Sequence, residues 1–189
     1  MKKIFSAVLC LLLIISLFAC DTGGDESSAP SGSGSSLPSD TSGTGEPVNL
    51  KTLLETVSAD FSLDDGGIYS SYSDQLGEYM DDEMISGKYG AAGISPDFGV
   101  YSQYAIFFSY DTYGDEVALF EMKDGESSEN TQSFLRARMD ELVRNAVNYP
   151  TVDANKFENA VIGTSGNYVY CIACDDADGV RTAIENALK

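Results

Sequence analysis

Cys171-Ile172-Ala173-Cys174 is the first place in this sequence where residue type and spacing could do chemistry. Two thiols three residues apart can cycle between dithiol and disulfide, and a helix start just beyond them would lower a thiol's pKa. Strand geometry opposes that reading. Residues i and i+3 of a regular strand point to opposite faces with Cα atoms about 10 Å apart, beyond the ~7 Å that a disulfide spans. Packing of two small apolar side chains is therefore the leading reading, and a disulfide or redox pair at Cys171 and Cys174 is the second. Zinc would need more ligands, and the chain has no His and no second CxxC to supply them.

The overlapping run Cys174 to Glu185 poses a calcium question. It sets Asp176, Asp178, Gly179 and Glu185 at the third, fifth, sixth and twelfth places of an EF-hand loop. Cys174 stands where the first carboxylate ligand belongs, and Arg181 stands where an aliphatic residue belongs. The expected context is also strand then helix, whereas an EF-hand needs helix, loop, helix. Acids at a helix start are explained by capping and the helix dipole. No metal is favoured at Asp176, Asp178 and Glu185, and no cofactor is expected.

Acid pairs occur at Asp64-Asp65, Asp81-Asp82-Glu83 and Asp115-Glu116. Two carboxylates at a fixed separation suit glycoside hydrolysis, but so acidic a chain holds such pairs by chance, and most belong to a solvated surface. No catalytic residue is assigned. Among the tyrosines, Tyr69, Tyr72, Tyr79 and Tyr89 are expected to precede the sheet, while Tyr104, Tyr110, Tyr168 and Tyr170 read as strand residues packed in the core or at its rim.

One cysteine has a clearer role. Lys2 and Lys3 precede Ile4 to Ala19, a run interrupted only by Ser6 and Ser16 and too short for the ~20 apolar residues of a membrane span. Leu17-Phe18-Ala19-Cys20 closes the run and resembles the bacterial lipobox, with Phe18 bulkier than the usual small residue there. The resemblance implies that residues 1–19 are a lipoprotein signal peptide and that Cys20 is the lipidated first residue of the mature chain. The expected location is the outer face of the cytoplasmic membrane, lipid-anchored and extracytoplasmic.

Residues 20–47 form a tether. Asp21 to Pro47 holds eight Ser, six Gly, three Thr and three Pro in 27 residues, with five acids and no base. Such a segment cannot bury enough apolar surface to offset the entropy of ordering it. As a coil it spans roughly 30 Å. Charge then excludes partners. With 11 basic and 30 acidic residues, a net charge of −19 leaves no surface for nucleic acid. The lack of His removes Ser-His-Asp and Cys-His catalysis.

The folded part is residues 48–189, large enough to bury a core without disulfide staples. Leu50, Leu53, Leu54 and Val57 predict a helix over Val48 to Ala59. Asp60 to Gly67 reads as a break, Gln75 to Ser86 as a second short helix, and Gly87 to Phe98 as a loop. Gln103 to Tyr110 and Glu116 to Met122 predict a hairpin around a Gly-containing loop. Ser127-Ser128-Glu129 supplies N-cap chemistry for a long helix to about Asn148, with Leu135, Met139, Leu142, Val143 and Ala146 as its apolar stripe. Pro150 ends it, and Asp153 caps a short helix through Phe157.

Ala160 to Gly163 and Asn167 to Ala173 predict a second hairpin, and Asp175 to Leu188 a final helix along Val180, Ile184 and Leu188. Apolar residues on both faces of Asn167 to Cys174 predict a central strand whose Val169-Cys171-Ala173 face lies under a helix. The fold class is α+β: a single domain with an antiparallel sheet of about four strands, in two hairpins, packed with three or more helices.

Arg138-Met139-Asp140-Glu141, Asn148-Tyr149-Pro150, Phe157-Glu158-Asn159-Ala160-Val161 and Gly166-Asn167-Tyr168-Val169 carry a resemblance. Over roughly Leu50 to Leu188 the chain resembles a family of Firmicutes lipoproteins defined by the domain of unknown function DUF4358. The resemblance implies architecture and an anchored location, and brings no catalytic residue, ligand or partner. The expected function is a non-enzymatic binding or interaction domain whose partner is an extracytoplasmic protein, peptide or glycan, with the membrane reached through Cys20. The alternatives are a carboxylate-based hydrolase acting on an envelope substrate, and a Ca²⁺- or thiol-dependent module.

Overall fold

A computed structural model describes residues 47–90 and 96–189. The signal segment, Cys20 and the tether as far as residue 46 lie outside the described residues, as does 91–95 within the expected loop.

Helix α1 (Leu50–Asp60) starts two residues later than its apolar spacing predicts because Asn49 caps it, its side-chain oxygen accepting from Thr52 N–H at 3.0 Å. Leu50, Leu54 and Val57 are its buried face. The stretch that follows corrects the sequence reading. Gly66–Ser70 is a strand, β1, paired antiparallel with Tyr101–Ser109, β2. The Gly66-Gly67 pair that reads as a breaker is instead a close approach. A Cβ on Gly66 would run into the Phe108 carbonyl and the Phe107 ring, so glycine is what lets this edge strand dock.

The second helix also moves, from the expected Gln75–Ser86 to α2, Asp82–Tyr89. Leu76 and Tyr79 have helical spacing, but Gly77 sits at φ +88°, a left-handed conformation no α-helix can include. Asp81 sets the true start by accepting from Met84 N–H at 2.8 Å. Gly87 to Tyr89 are thus helical, and the expected loop begins only after them.

Strand β3 (Glu116–Met122) pairs with β2, and Val161–Ser165 (β4) pairs with Tyr168–Ala173 (β5). The turn of this second hairpin falls at Gly166-Asn167. The two hairpins join through β3 and β5, with Glu116 opposite Ala173 and Leu119 opposite Tyr170. The result is a five-stranded sheet of order β1-β2-β3-β5-β4, antiparallel throughout. That is one strand more than expected, and the added strand is β1.

Helix α3 spans Glu129–Ala146, with no side-chain cap from Ser128; instead Ser127 Oγ accepts from Glu129 N–H at 3.3 Å. Its stripe includes Phe134 and Thr131 beside Leu135, Met139, Leu142 and Ala146. A short α4 (Asn155–Glu158) and a closing α5 (Ala177–Ala187) complete the α+β domain.

Alternation along the strands divides the core in two. Ile106, Phe108, Ala118, Phe120, Val169, Cys171 and Ala173 share one core with Tyr89 of α2, Leu135, Met139 and Leu142 of α3, and Phe157 of α4. Ala105, Phe107, Val117, Leu119, Tyr170 and Ile172 form the other with Leu50, Leu54 and Val57 of α1 and with Val180 and Ile184 of α5. Helices therefore cover both faces of the sheet. Strand β5 is interior, and its Val169-Cys171-Ala173 face lies in the α3 core as its small residues predict.

A buried Gln103 ties the chain entry to the sheet. Its Oε1 accepts from Leu50 N–H at 3.1 Å and from the Tyr72 hydroxyl at 2.7 Å. Its amide nitrogen donates to Val48 O at 2.8 Å and Glu121 Oε2 at 2.7 Å. Burial alone would raise the Glu121 pKa, but donors from Gln103, Ser102, Asn167 and Tyr168 hold it below its ordinary value.

Candidate functional site

The residues that looked chemical in sequence are placed apart. Cys171 and Cys174 are both buried and free, Cys171 in the α3 core and Cys174 in the α1/α5 core. The sheet lies between them, as the i, i+3 argument requires. Burial raises the Cys171 thiol well above its ordinary pKa and pushes Cys174 up to about 11. Both shifts run against the lowering that a reactive thiol needs. Alkylation of either thiol in the folded protein at neutral pH is therefore expected to be about a hundredfold or more slower than after unfolding, read by mass with and without denaturant. Rapid labelling of either residue in the native state would show the burial to be wrong.

Asp176, Asp178 and Glu185 are each occupied separately. Asp176 caps α5 by accepting from Gly179 N–H at 3.0 Å. Asp178 pairs with Arg181 at 3.0 Å. Glu185 accepts from the Tyr170 hydroxyl, and burial together with that acceptor pushes the Tyr170 pKa up to about 12. Among the described residues no group of three or more carboxylate or thiol side chains could hold a metal.

Two acid pairs meet across the fold. Asp64 N–H donates to Asp115 Oδ2 at 3.1 Å, and Asp115 N–H donates to Asp64 Oδ2 at 3.0 Å. Lys156 joins them, at 2.7 Å from Asp115 Oδ1 and 3.7 Å from Asp64 Oδ2. Burial alone would lower the Lys156 pKa, but the hydrogen bond and charge of Asp115 raise it above the ordinary value.

Glu116, the neighbour of Asp115, goes elsewhere. As the first residue of β3 it is in phase with Ala118 and Phe120, so its side chain enters the α3 core. Arg138 of α3 meets it there, with both Nε and Nη2 donating to Glu116 Oε2 at 3.3 Å. Glu116 Oε1 and the Tyr89 hydroxyl are buried without a hydrogen-bond partner among the described residues. Desolvation raises the Glu116 pKa even though Arg138 and Lys88 both oppose it.

Arg138 and Lys88 both line a cleft of about 700 Å³ between α2, α3 and the loop from Tyr110 to Asp115. Lys88 is half-buried, with its ammonium 4.3 Å from the centre of the Phe108 ring. Burial first, and the Arg138 charge second, lower its pKa, while Glu116 pulls the other way. Leu76, Met84 and Tyr110 supply the apolar wall, and Leu76 and Tyr110 are 84% and 78% exposed. Tyr110 thus corrects the sequence reading of a strand residue packed in the core or at its rim, since β2 ends at Ser109, and Tyr69, expected to precede the sheet, lies in its strand β1. Tyr104 and Tyr170 are buried as expected, and Tyr89, not assigned to the core, is buried too.

This constellation was missed in sequence, yet a signal existed. Glu116 falls on the core face of a period-2 strand, and Arg138 falls between Leu135 and Leu142 on the apolar stripe of α3. Opposite charges in phase with two facing apolar surfaces must pair.

A profile of the family described as "Domain of unknown function (DUF4358)" matches residues 78–174, just over half the chain. The chain belongs to the DUF4358 family. The matched segment includes α2, β2, β3, α3 and the second hairpin, and so carries Lys88, Tyr89, Glu116 and Arg138. No curated protein and no solved structure matches the chain. The cleft thus lies in the DUF4358 region except for its Leu76-Gly77 edge.

Proposed function

We propose that this chain is a membrane-anchored extracytoplasmic lipoprotein whose DUF4358 domain binds a ligand without transforming it, and that the ligand enters the Lys88–Arg138 cleft. The observation that carries the binding reading is the union, in one concavity, of an exposed apolar rim with two partly desolvated cations. Isolated exposed apolar residues are ordinary; a concave site with convergent polar groups is the usual form of a ligand pocket. The sequence from Lys2 to Cys20 supports the anchor, and the tether supports a domain held off the membrane surface.

Two measurements test the two halves of the reading. Cys20→Ala is expected to release the protein from the membrane fraction, and a variant that stays with membranes refutes the lipid anchor. Amide chemical-shift mapping with a mixed set of small fragments is expected to perturb Leu76, Met84, Lys88 and Tyr110 together. Perturbations that collect on another surface refute the cleft.

A further inference from the structure

Lys88 is anomalous for the company it keeps. Residues 48–189 hold 25 acids against 9 bases, so a lysine has abundant carboxylates to pair with. Lys51, Lys156, Arg138 and Arg181 all form ion pairs. Lys88 has no hydrogen-bonded or ion-paired partner among the described residues, although it is half-buried and has lost part of its hydration. An exposed unpaired lysine costs nothing, whereas a desolvated one lacks compensation that an anion entering the cleft would supply.

The surroundings limit which anion fits. Asp81 and Glu83 also line the cleft, Asp81 already committed to capping α2. Glu116 lies behind Arg138 and takes up part of its charge. Two cations and two carboxylates line the cleft, so Lys88, the cation without a paired carboxylate, suits one negative charge, and a doubly charged phosphate is disfavoured in a chain of net charge −19. A carboxylate suits the point charge of Lys88, with Arg138 Nη1, the guanidinium nitrogen that does not donate to Glu116, as a second donor. The exposed Leu76 and Tyr110 suit an apolar body next to that carboxylate, and Glu83 of the same lining is an acceptor for an ammonium or amide N–H.

We propose that the cleft takes the α-carboxylate of an apolar residue, with Lys88 and Arg138 receiving the carboxylate and Leu76 and Tyr110 covering the side chain. This rests on the cleft being the binding site. Two sources share that chemistry: a free apolar amino acid and the C-terminal end of a short peptide.

The test uses the full-length chain in detergent, titrated with leucyl-phenylalanine, its C-terminal amide, free phenylalanine and inorganic phosphate, with calorimetry and amide shifts as readouts. The free acid is expected to bind at least about tenfold more tightly than the amide. Lys88→Gln is expected to abolish that preference, whereas Leu76→Ser weakens acid and amide alike. Arg144→Gln, an exposed site outside the cleft, leaves binding unchanged. Phenylalanine as tight as the dipeptide assigns the free amino acid, and a tighter dipeptide assigns the peptide end. Equal binding of acid and amide, phosphate as tight as the acid, or an unimpaired but folded Lys88→Gln overturns the ligand class while shifts at Leu76, Lys88 and Tyr110 keep the cleft. Acid-induced shifts confined to another surface overturn the cleft itself. No binding of the acid at millimolar concentration overturns the inference.

Discussion

Arg138→Met lowers the unfolding free energy by about 3 kcal/mol at neutral pH, and adding Glu116→Leu to it restores most of that loss. The expectation follows from how the pair is buried. The side chains of Arg138 and Glu116 are 11% and 4% exposed. Both arginine contacts fall on one oxygen at 3.3 Å, a looser match than a fork on two oxygens, and Oε1 has no partner among the described residues. Removing only the arginine strands a carboxylate in the α3 core. Removing both leaves two apolar side chains between Leu135, Phe108 and Ala118, a replacement that is commonly neutral or stabilising.

The pH dependence has a definite sign. Desolvation raises the Glu116 pKa from its ordinary 4.5, so the native chain holds that proton where the unfolded chain has released it. The associated stability is fully present below the unfolded pKa and is lost as pH rises through the folded one. Without Arg138, which opposes the shift, the folded pKa climbs further and the window widens upward. The penalty of Arg138→Met therefore shrinks as the solution is acidified, and Glu116→Gln removes this contribution to the slope. Urea melts of these three variants and the unmodified chain across the acidic to neutral range measure it. A penalty that does not change with pH, or a double variant no better than the single, would show that the pair is compensated by something else.

Much of the architecture was legible because it rests on apolar periodicity. Leu50, Leu54 and Val57 marked α1, and the alternating faces of Asn167 to Cys174 identified an interior strand and the side its helix covers. Where the reading failed, backbone geometry overrode composition. Gly66-Gly67 looks like a breaker, but there a missing Cβ admits β1 to the sheet, and Gly77 halts a helix that Leu76 and Tyr79 appear to extend. The candidate site was hidden for a different reason. Lys88, Glu116 and Arg138 lie on three elements, and each alone looks like one charge among many. Only the phase of Glu116 and Arg138 within apolar patterns hinted that they are buried, and nothing local indicated that Lys88 would join them.

Phe120→Ala is expected to cost about 4 kcal/mol, and its consequences should fall on one side of the sheet. Phe120 is fully buried at the centre of β3. Its ring lies 4.7 Å from that of Tyr101, 5.8 Å from Phe98 and 5.9 Å from Phe134, centroid to centroid. Truncation therefore opens a cavity and removes three ring contacts, of which aromatic pairs contribute about 0.5–1.5 kcal/mol each beyond buried area. Those rings fix α3: Phe134 belongs to it, and Tyr101 shares a 2.8 Å hydrogen bond with its Thr131. The helix so fixed carries Arg138. Leu119, the preceding residue, points into the α1/α5 core, and Leu119→Ala should cost about 3 kcal/mol there. Hydrogen exchange separates the two variants, because α3 amides should exchange faster in Phe120→Ala and stay protected in Leu119→Ala. Ligand affinity in the cleft should fall with the first and hold with the second. Equal loosening of α3 by both variants would mean that the sheet does not insulate its two cores, and that the cleft depends on the whole domain instead of on the layer that bears its cations.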